Sequence, residues 1–179
     1  MMKLYDFLPC PFGQKVRIIL AEKGLSYELI QVDLIQGEQR KPDFLRLNPF
    51  GRVPVLVDED TIIYDSTIIA EYLEDEYPEP PLLPAIDASA QRAHARIWED
   101  FADTSFTPQV GQLMAEMSKP EGERDPARLQ RLQKSVERVL DFLNHGLQGQ
   151  EFLASQFSVA DIGFVPRLVV LRELGFDPG

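Results

Sequence analysis

Cys10 is the only cysteine in the 179-residue chain, and it stands in LPCPFGQKVRIIL (8–20), between an apolar run and an amphipathic one. Pro11 follows it directly and suits the first position of a helix, so Cys10 falls at a strand-to-helix junction. The start of a helix carries partial positive charge and free N–H groups, and both favour a thiolate. Lys15 and Arg17 add positive charge nearby. A second reading stands level with this one: free cysteine is among the most buried residue types and fills cores as a small apolar side chain. If the thiol reacts, its chemistry is constrained. CPFG looks like a redox dithiol motif without its second cysteine, and a thiolate with no resolving partner attacks a disulfide once and then needs an outside thiol to release it.

Glutathione is the obvious candidate for that thiol. It carries two carboxylates, an amine and a peptide backbone, and the sequence offers a group for each. A helix beginning at Asp65–Ser66 can take a carboxylate on its N-terminal N–H groups and the Ser66 hydroxyl, and the Asp65 carboxylate can hold an ammonium. Plain helix capping by Asp65 or Ser66 is the competing reading. Pro54 interrupts a strand, so the N–H and C=O of Val53 are available to an extended peptide; the competing reading is a simple bend. Pro54 is also a candidate cis proline. Lys41 can partner a carboxylate or be a solvated surface charge.

The elements that must position these groups are readable in outline. KLYDFL (3–8) and YELIQVDL (27–34) read as strands around a helix carrying Val16, Ile19, Leu20 and Lys23 on one side and ending at Gly24, a βαβ unit with parallel pairing. KPDFLRLN reads as a short helix. RVPVLVD (52–58) and EDTIIY form a hairpin, and DSTIIAEYLEDEY (65–77) a helix. YPEPPLLP (77–84), with four prolines in eight residues, reads as a stiff connector. Beyond it the pattern is helical. Residues 87–117 read as one long helix bent near Pro108, and Asp125–Pro126 opens another that ends near Gly146. FSVADIGF opens a last, centrally placed helix, with Ser158 and Asp161 forming a capping box and Phe157 and Ile162 a hydrophobic staple. The expected architecture is an α/β domain over 1–77, a proline-rich linker over 78–84 and an all-helical domain over 85–179.

The composition narrows the partners. At 44% hydrophobic and 26% charged the chain reads as an ordinary globular protein, and a net charge of −11 argues against nucleic acid as a ligand. No apolar run approaches the roughly 18 residues of a membrane span. The start lacks a signal-peptide core, and one cysteine cannot form an internal disulfide, which fits a cytoplasmic address. His94 and His145 have no ligand-like neighbours, so no metal site is expected.

CPFGQKVRIILAEKG, KPDFLRLNPFGRVPVL, YDSTIIAEYLEDEYP and FSVADIGF occur in the order and spacing of the glutathione transferase superfamily, which the chain resembles over essentially its whole length. CPFGQKVR and the KP seven residues before NPFG are most similar to the cysteine-type, omega group. The resemblance implies a thioredoxin-like N-terminal domain, a helical C-terminal domain and a homodimer formed between the small domain of one subunit and the helices of the other. It implies Cys10 as the catalytic residue and Lys41, Val53, Pro54, Asp65 and Ser66 as glutathione contacts. It also implies glutathione as co-substrate without a metal, and thiol transfer or conjugation to soft electrophiles as the reaction. Family members run further than LGFDPG, so one or two final helices are expected to be absent and the second-substrate pocket to be the least defined part. Phe12, Phe106, Val110 and Met114 are candidates to line it; for the last three, core is the better reading. The segment VRIILAEKGLSYELIQVDL is also similar to stringent-starvation, RNA-polymerase-associated proteins, which makes a non-catalytic binding protein the alternative.

Overall fold

The structure, a computed structural model, describes residues 1–176, and the chain separates into two compact units that meet in sequence at Leu82–Leu83. The last three residues of the expected helical domain lie outside the described residues.

In the first unit, β1 (Met2–Asp6) leads into α1 (Pro11–Glu22), and β2 (Tyr27–Gln31) follows. Gly24, with φ of 64°, takes the left-handed conformation that ends α1, where a Cβ would be strained. A single 3-10 turn (Glu38–Arg40) precedes α2 (Pro42–Leu45), and then come β3 (Val55–Asp58), β4 (Thr61–Tyr64) and α3 (Ser66–Glu76). The strand order is β2-β1-β3-β4; β1 pairs with β2 in parallel and with β3 antiparallel, and β3 pairs with β4 antiparallel. Strand side chains alternate between faces. Leu4 and Asp6 of β1 and Leu56 of β3 point toward the helices α1 and α3, whose Val16, Ile19, Leu20, Ile69 and Leu73 are fully buried. Tyr5 and Val55 point the other way and pack with Val32 and Phe44 beneath α2. This is the thioredoxin-like arrangement expected from the sequence. The strand predicted over 52–58 is shorter than expected because regular pairing begins after Pro54.

The proline-rich segment is not a free spacer. Lys23 and Glu74 form a buried ion pair at 2.8 Å. Lys23 Nζ also donates to the carbonyls of Tyr77 (2.8 Å) and Pro80 (2.9 Å), and Glu74 accepts from the Leu82 N–H (3.0 Å). The ends of α1 and α3 therefore hold residues 77–82 in place, and Leu82 is buried.

The second unit is all-helical: α4 (Ser89–Phe101), α5 (Thr107–Met117), α6 (Pro126–Gly146), α7 (Val159–Ile162) and α8 (Val165–Glu173). The long helix expected over 87–117 is continuous from Ser89, but its irregularity is a π-helical stretch over Ala102–Phe106, before Pro108. Pro108 itself sits in the first turn of α5, where its missing N–H costs little. A cluster of rings fills the unit, with Trp98 and Phe101 each 5.1 Å from Phe142 and Phe106 5.3 Å from Phe164. The last helix departs from expectation. It breaks after α7, and its second part, α8, leaves Val165 and Val169 exposed, so α7 and Phe164 supply the buried contacts instead. Phe157 meets the ring of Phe152 edge-on at 5.8 Å.

The capping box is present in full: the Ser158 hydroxyl accepts from the Ala160 N–H, and Asp161 accepts from the Ser158 N–H at 3.0 Å. Asp161 also accepts from the Leu153 N–H at 2.9 Å, joining the 151–157 loop to α7. Burial pushes its carboxyl above the ordinary value, against the pull of those bonds. Asp161→Ala strands two backbone donors at about 1–3 kcal/mol each, so urea unfolding should show a loss of about 2–4 kcal/mol. Ser158→Ala should cost about 1 kcal/mol. Equal unfolding midpoints for wild type and Asp161→Ala would contradict this account.

Candidate active site

Strand direction assembles the site. β3 runs against both β1 and β4, so β1 and β4 run the same way and the helices that follow them, α1 and α3, both start at one end of the sheet. Val55, the first residue of β3, lies opposite Tyr5 near the end of β1 and opposite Tyr64 at the end of β4. Three segments distant in sequence thereby come to one end: the Cys10 loop, Val53–Pro54 and Asp65–Ser66.

Cys10 is the N-cap residue of α1 and is partly buried, with its sulfur making no capping bond. Its N–H donates to the Phe7 carbonyl (2.7 Å) and its carbonyl accepts from the Gln14 N–H (2.9 Å), so the backbone around the thiol is fixed at both sides. The positive charges read near it take other directions. Lys15 is buried, with Nζ 3.4 Å from the Thr67 hydroxyl of α3. Arg17 pairs with Asp6 at 2.9 Å and donates to the Leu8 carbonyl at 2.9 Å.

Asp6 is the feature that the sequence reading missed. It is fully buried, its Oδ1 accepts from the Phe7 N–H at 2.7 Å, and burial pushes its carboxyl up to about 6 although Arg17 and that N–H pull it down. A Cβ on Gly13 would sit 1.7 Å from the Asp6 carboxylate, so α1 is glycine there to admit it. The signal was present: in KLYDFL an acid occupies the inward position two residues after Leu4.

The Val53–Pro54 peptide is cis. Among the described residues no protein hydrogen bond involves the N–H or C=O of Val53. At α3 the cap is Asp65, not Ser66: Asp65 Oδ1 accepts from the Thr67 N–H (3.0 Å) and the Ile68 N–H (3.4 Å). Asp65 does so at φ of 75°, a conformation costly for a residue other than glycine and concentrated at functional sites. Ser66 is buried at the first position of the helix. Chemically, this end of the sheet presents a thiol at one helix start, a hydroxyl and an acid at another, and the unpaired backbone of Val53.

Lys41 is elsewhere. Its ammonium pairs with Glu38 at 2.9 Å and is largely exposed. The Asp33 N–H, and after it Lys41, hold the Glu38 carboxyl below its ordinary value. Both line an open cavity of about 320 Å³ against Tyr5, Val32 and Phe44, and none of Cys10, Val53 and Ser66 borders it. Of the residues considered for a second substrate, Phe106 and Val110 are fully buried inside the helical unit, the Met114 sulfur accepts from Arg167 at 3.1 Å, and Phe12 is partly exposed on α1. Among the described residues no helix is long and apolar enough to cross a membrane.

Comparison with known proteins agrees with this fold. Residues 4–81 match the family described as Glutathione S-transferase, N-terminal domain. The chain is 51% identical over 84 residues to glutathione S-transferase Z2 of Arabidopsis thaliana, a match covering 47% of this chain and 38% of that one. Glutathione S-transferase 3 of Zea mays is 34% identical over 89% of this chain and 73% of its own length. A stringent starvation protein A homolog of Pasteurella multocida is 32% identical over 93% of this chain and 73% of its own. Among solved structures, the glutathione transferase URE2P8 from Phanerochaete chrysosporium, determined with oxidized glutathione, superposes with a TM-score of 0.88 at 30% identity, covering 98% of this chain and 82% of that one. The chain belongs to the glutathione S-transferase family.

Proposed function

We propose that the chain binds glutathione at the end of the sheet where α1 and α3 begin, as a cysteine-type member of its family, and that Cys10 carries out thiol transfer. The supporting observation is the position of the chain's only cysteine, at the N-cap of α1, at the same sheet end as Val53 and Ser66. Backbone pairing at Val53 would align the tripeptide, and the start of α3 would receive its γ-glutamyl carboxylate through Ser66 while Asp65 faces the ammonium. Lys41 would have to leave Glu38 to contact the ligand. Relatives whose structures hold glutathione or its disulfide have the same fold.

In the first step the Cys10 thiolate attacks the glutathionyl sulfur of a mixed disulfide. The bond between Cys10 and glutathione forms, the old disulfide breaks, and the departing thiolate takes a proton. In the second, a glutathione thiolate attacks the glutathionyl sulfur of the adduct, giving glutathione disulfide and free Cys10. The second step must come from outside because the chain has no other cysteine. Conjugation of glutathione to soft electrophiles uses the same binding site without bonding to Cys10. The likeness to a stringent starvation protein A homolog supports a second reading, a binding protein that performs no transfer.

After exposure to oxidised glutathione, intact-protein mass spectrometry should find one glutathionyl group on wild type and none on Cys10→Ser, and Cys10→Ser should lose reduction of a glutathione mixed disulfide while keeping or raising conjugation. Wild type without an adduct, and with both rates unchanged in Cys10→Ser, would make Cys10 a bystander.

A homodimer is part of the same reading. Phe50 is 71% exposed and its ring meets that of Tyr64 edge-on. Tyr64 and exposed Ile62 lie on β4, the edge strand, so an apolar patch borders an unpaired sheet edge. Sedimentation should give a dimer at micromolar concentration that Phe50→Ser weakens; a wild-type monomer would refute it.

A further inference from the structure

We propose that Asp6 and Arg17 are positioning residues for Cys10: the pair fastens the loop over residues 7–10 to β1 and α1, and so sets how fast the Cys10 sulfur reacts. The proposal rests on the reading of Cys10 as the reacting group.

The bonds form a closed circuit around the loop. The Phe7 N–H donates to Asp6 Oδ1 (2.7 Å), and Arg17 Nη1 donates to Asp6 Oδ2 (2.9 Å). Arg17 Nη2 donates to the Leu8 carbonyl (2.9 Å), and the Phe7 carbonyl accepts from the Cys10 N–H (2.7 Å). Asp6 is itself anchored in the sheet, its carbonyl accepting from the Val32 N–H at 2.8 Å. Remove the carboxylate, and the guanidinium loses the partner that aims it at Leu8.

Two costs accompany this arrangement, and neither serves the fold. A carboxylate is buried where an apolar side chain would pack without penalty. Gly13 occupies a helix interior, where alanine is ordinarily favoured by about 1 kcal/mol, because a Cβ would strike Asp6. Both costs fall on the one carboxylate that holds the Cys10 loop.

Arg17 is the charge that acts on Asp6. On the elements packed against β1, Glu28 of β2 pairs with Lys3, Asp58 of β3 accepts from Tyr72 and Tyr77, and Lys15 of α1 reaches Thr67. The Asp6 carboxyl titrates near 6 instead of its ordinary 3.8. Because the folded value is raised, the protonated form is the one the fold favours. That contribution is present below about 4 and is lost as pH rises through about 6. The ion pair with Arg17 therefore exists at neutral pH at a cost to stability and weakens as pH falls through about 6.

Alkylation of Cys10 by iodoacetamide tests this without glutathione. Wild type, Asp6→Asn and Arg17→Lys are compared from pH 5 to 9, with melting temperature at pH 8 as a control. The wild-type rate profile should contain, besides the thiol ionisation, an inflection near 6 that Asp6→Asn lacks. The plateau rate of Asp6→Asn should fall roughly ten-fold, the equivalent of about one hydrogen bond to a charged group, with a melting temperature equal to or above wild type. Arg17→Lys, which keeps the charge but loses the two separate nitrogens that reach Asp6 and Leu8, should fall between. Wild-type plateau and profile in both variants would overturn the proposal; if Asp6→Asn does not fold, the plateau rate of Arg17→Lys decides it alone. The outcome is separable from the catalytic reading. A missing glutathione adduct on wild type overturns Cys10 catalysis whatever the alkylation profile, and unchanged alkylation overturns the positioning pair even where the adduct forms.

Discussion

The direction of β3 is the constraint on which the site depends. Because β3 opposes both of its neighbours, β1 and β4 end together, and the two helices that follow them open side by side. A helix start is a place of partial positive charge and unsatisfied N–H groups. Two of them at one end of a sheet make a region suited to sulfur and carboxylate anions, with the unpaired backbone of Val53 between them. No single residue creates this region. Any sequence that builds this sheet order has it, and side chains such as Cys10 and Ser66 decide what it does.

Buried polar groups then fix the parts that the sheet leaves loose. Three such clusters each tie a loop to a helix. Asp6 and Arg17 hold the loop before α1, Lys23 and Glu74 hold the proline-rich segment after α3, and Asp161 holds the loop before α7. Buried ion pairs add little net stability over an apolar core, so their use here fits a need for defined geometry. The clusters differ in what depends on them. Only the Asp6 cluster touches the Cys10 loop, and in only that cluster must a helix residue, Gly13, give up its side chain to make room.

What the sequence disclosed follows from range. Pro11 and Gly24 bound α1, Asp125 and Pro126 open α6, and Ser158 and Asp161 form a capping box because each signal acts within a turn or two of itself. The sheet was legible through strand patterning, and the cis Val53–Pro54 peptide through a proline inside a strand. Long-range partners were not. Arg17 looked like a free charge near a thiol and is committed to Asp6; Lys23 looked like one more residue on the apolar side of a helix and is the centre of a buried network. Apolar content misled at the last helix: Val165 and Val169 suggested a central element, whereas α8 leaves them exposed. Asp65 resolved the other way. Its capping role was one of two readings, and the structure adds that it caps α3 with φ of 75°, a strain no local pattern announces.

Calorimetric titration of glutathione into wild type and Ser66→Ala tests most directly whether the two helix starts form a glutathione site. The account predicts binding by wild type and roughly ten-fold or weaker binding by Ser66→Ala, from the loss of one hydrogen bond to a charged group worth about 1.5–3 kcal/mol. Equal affinity in the two proteins, or no heat of binding in wild type, would contradict it.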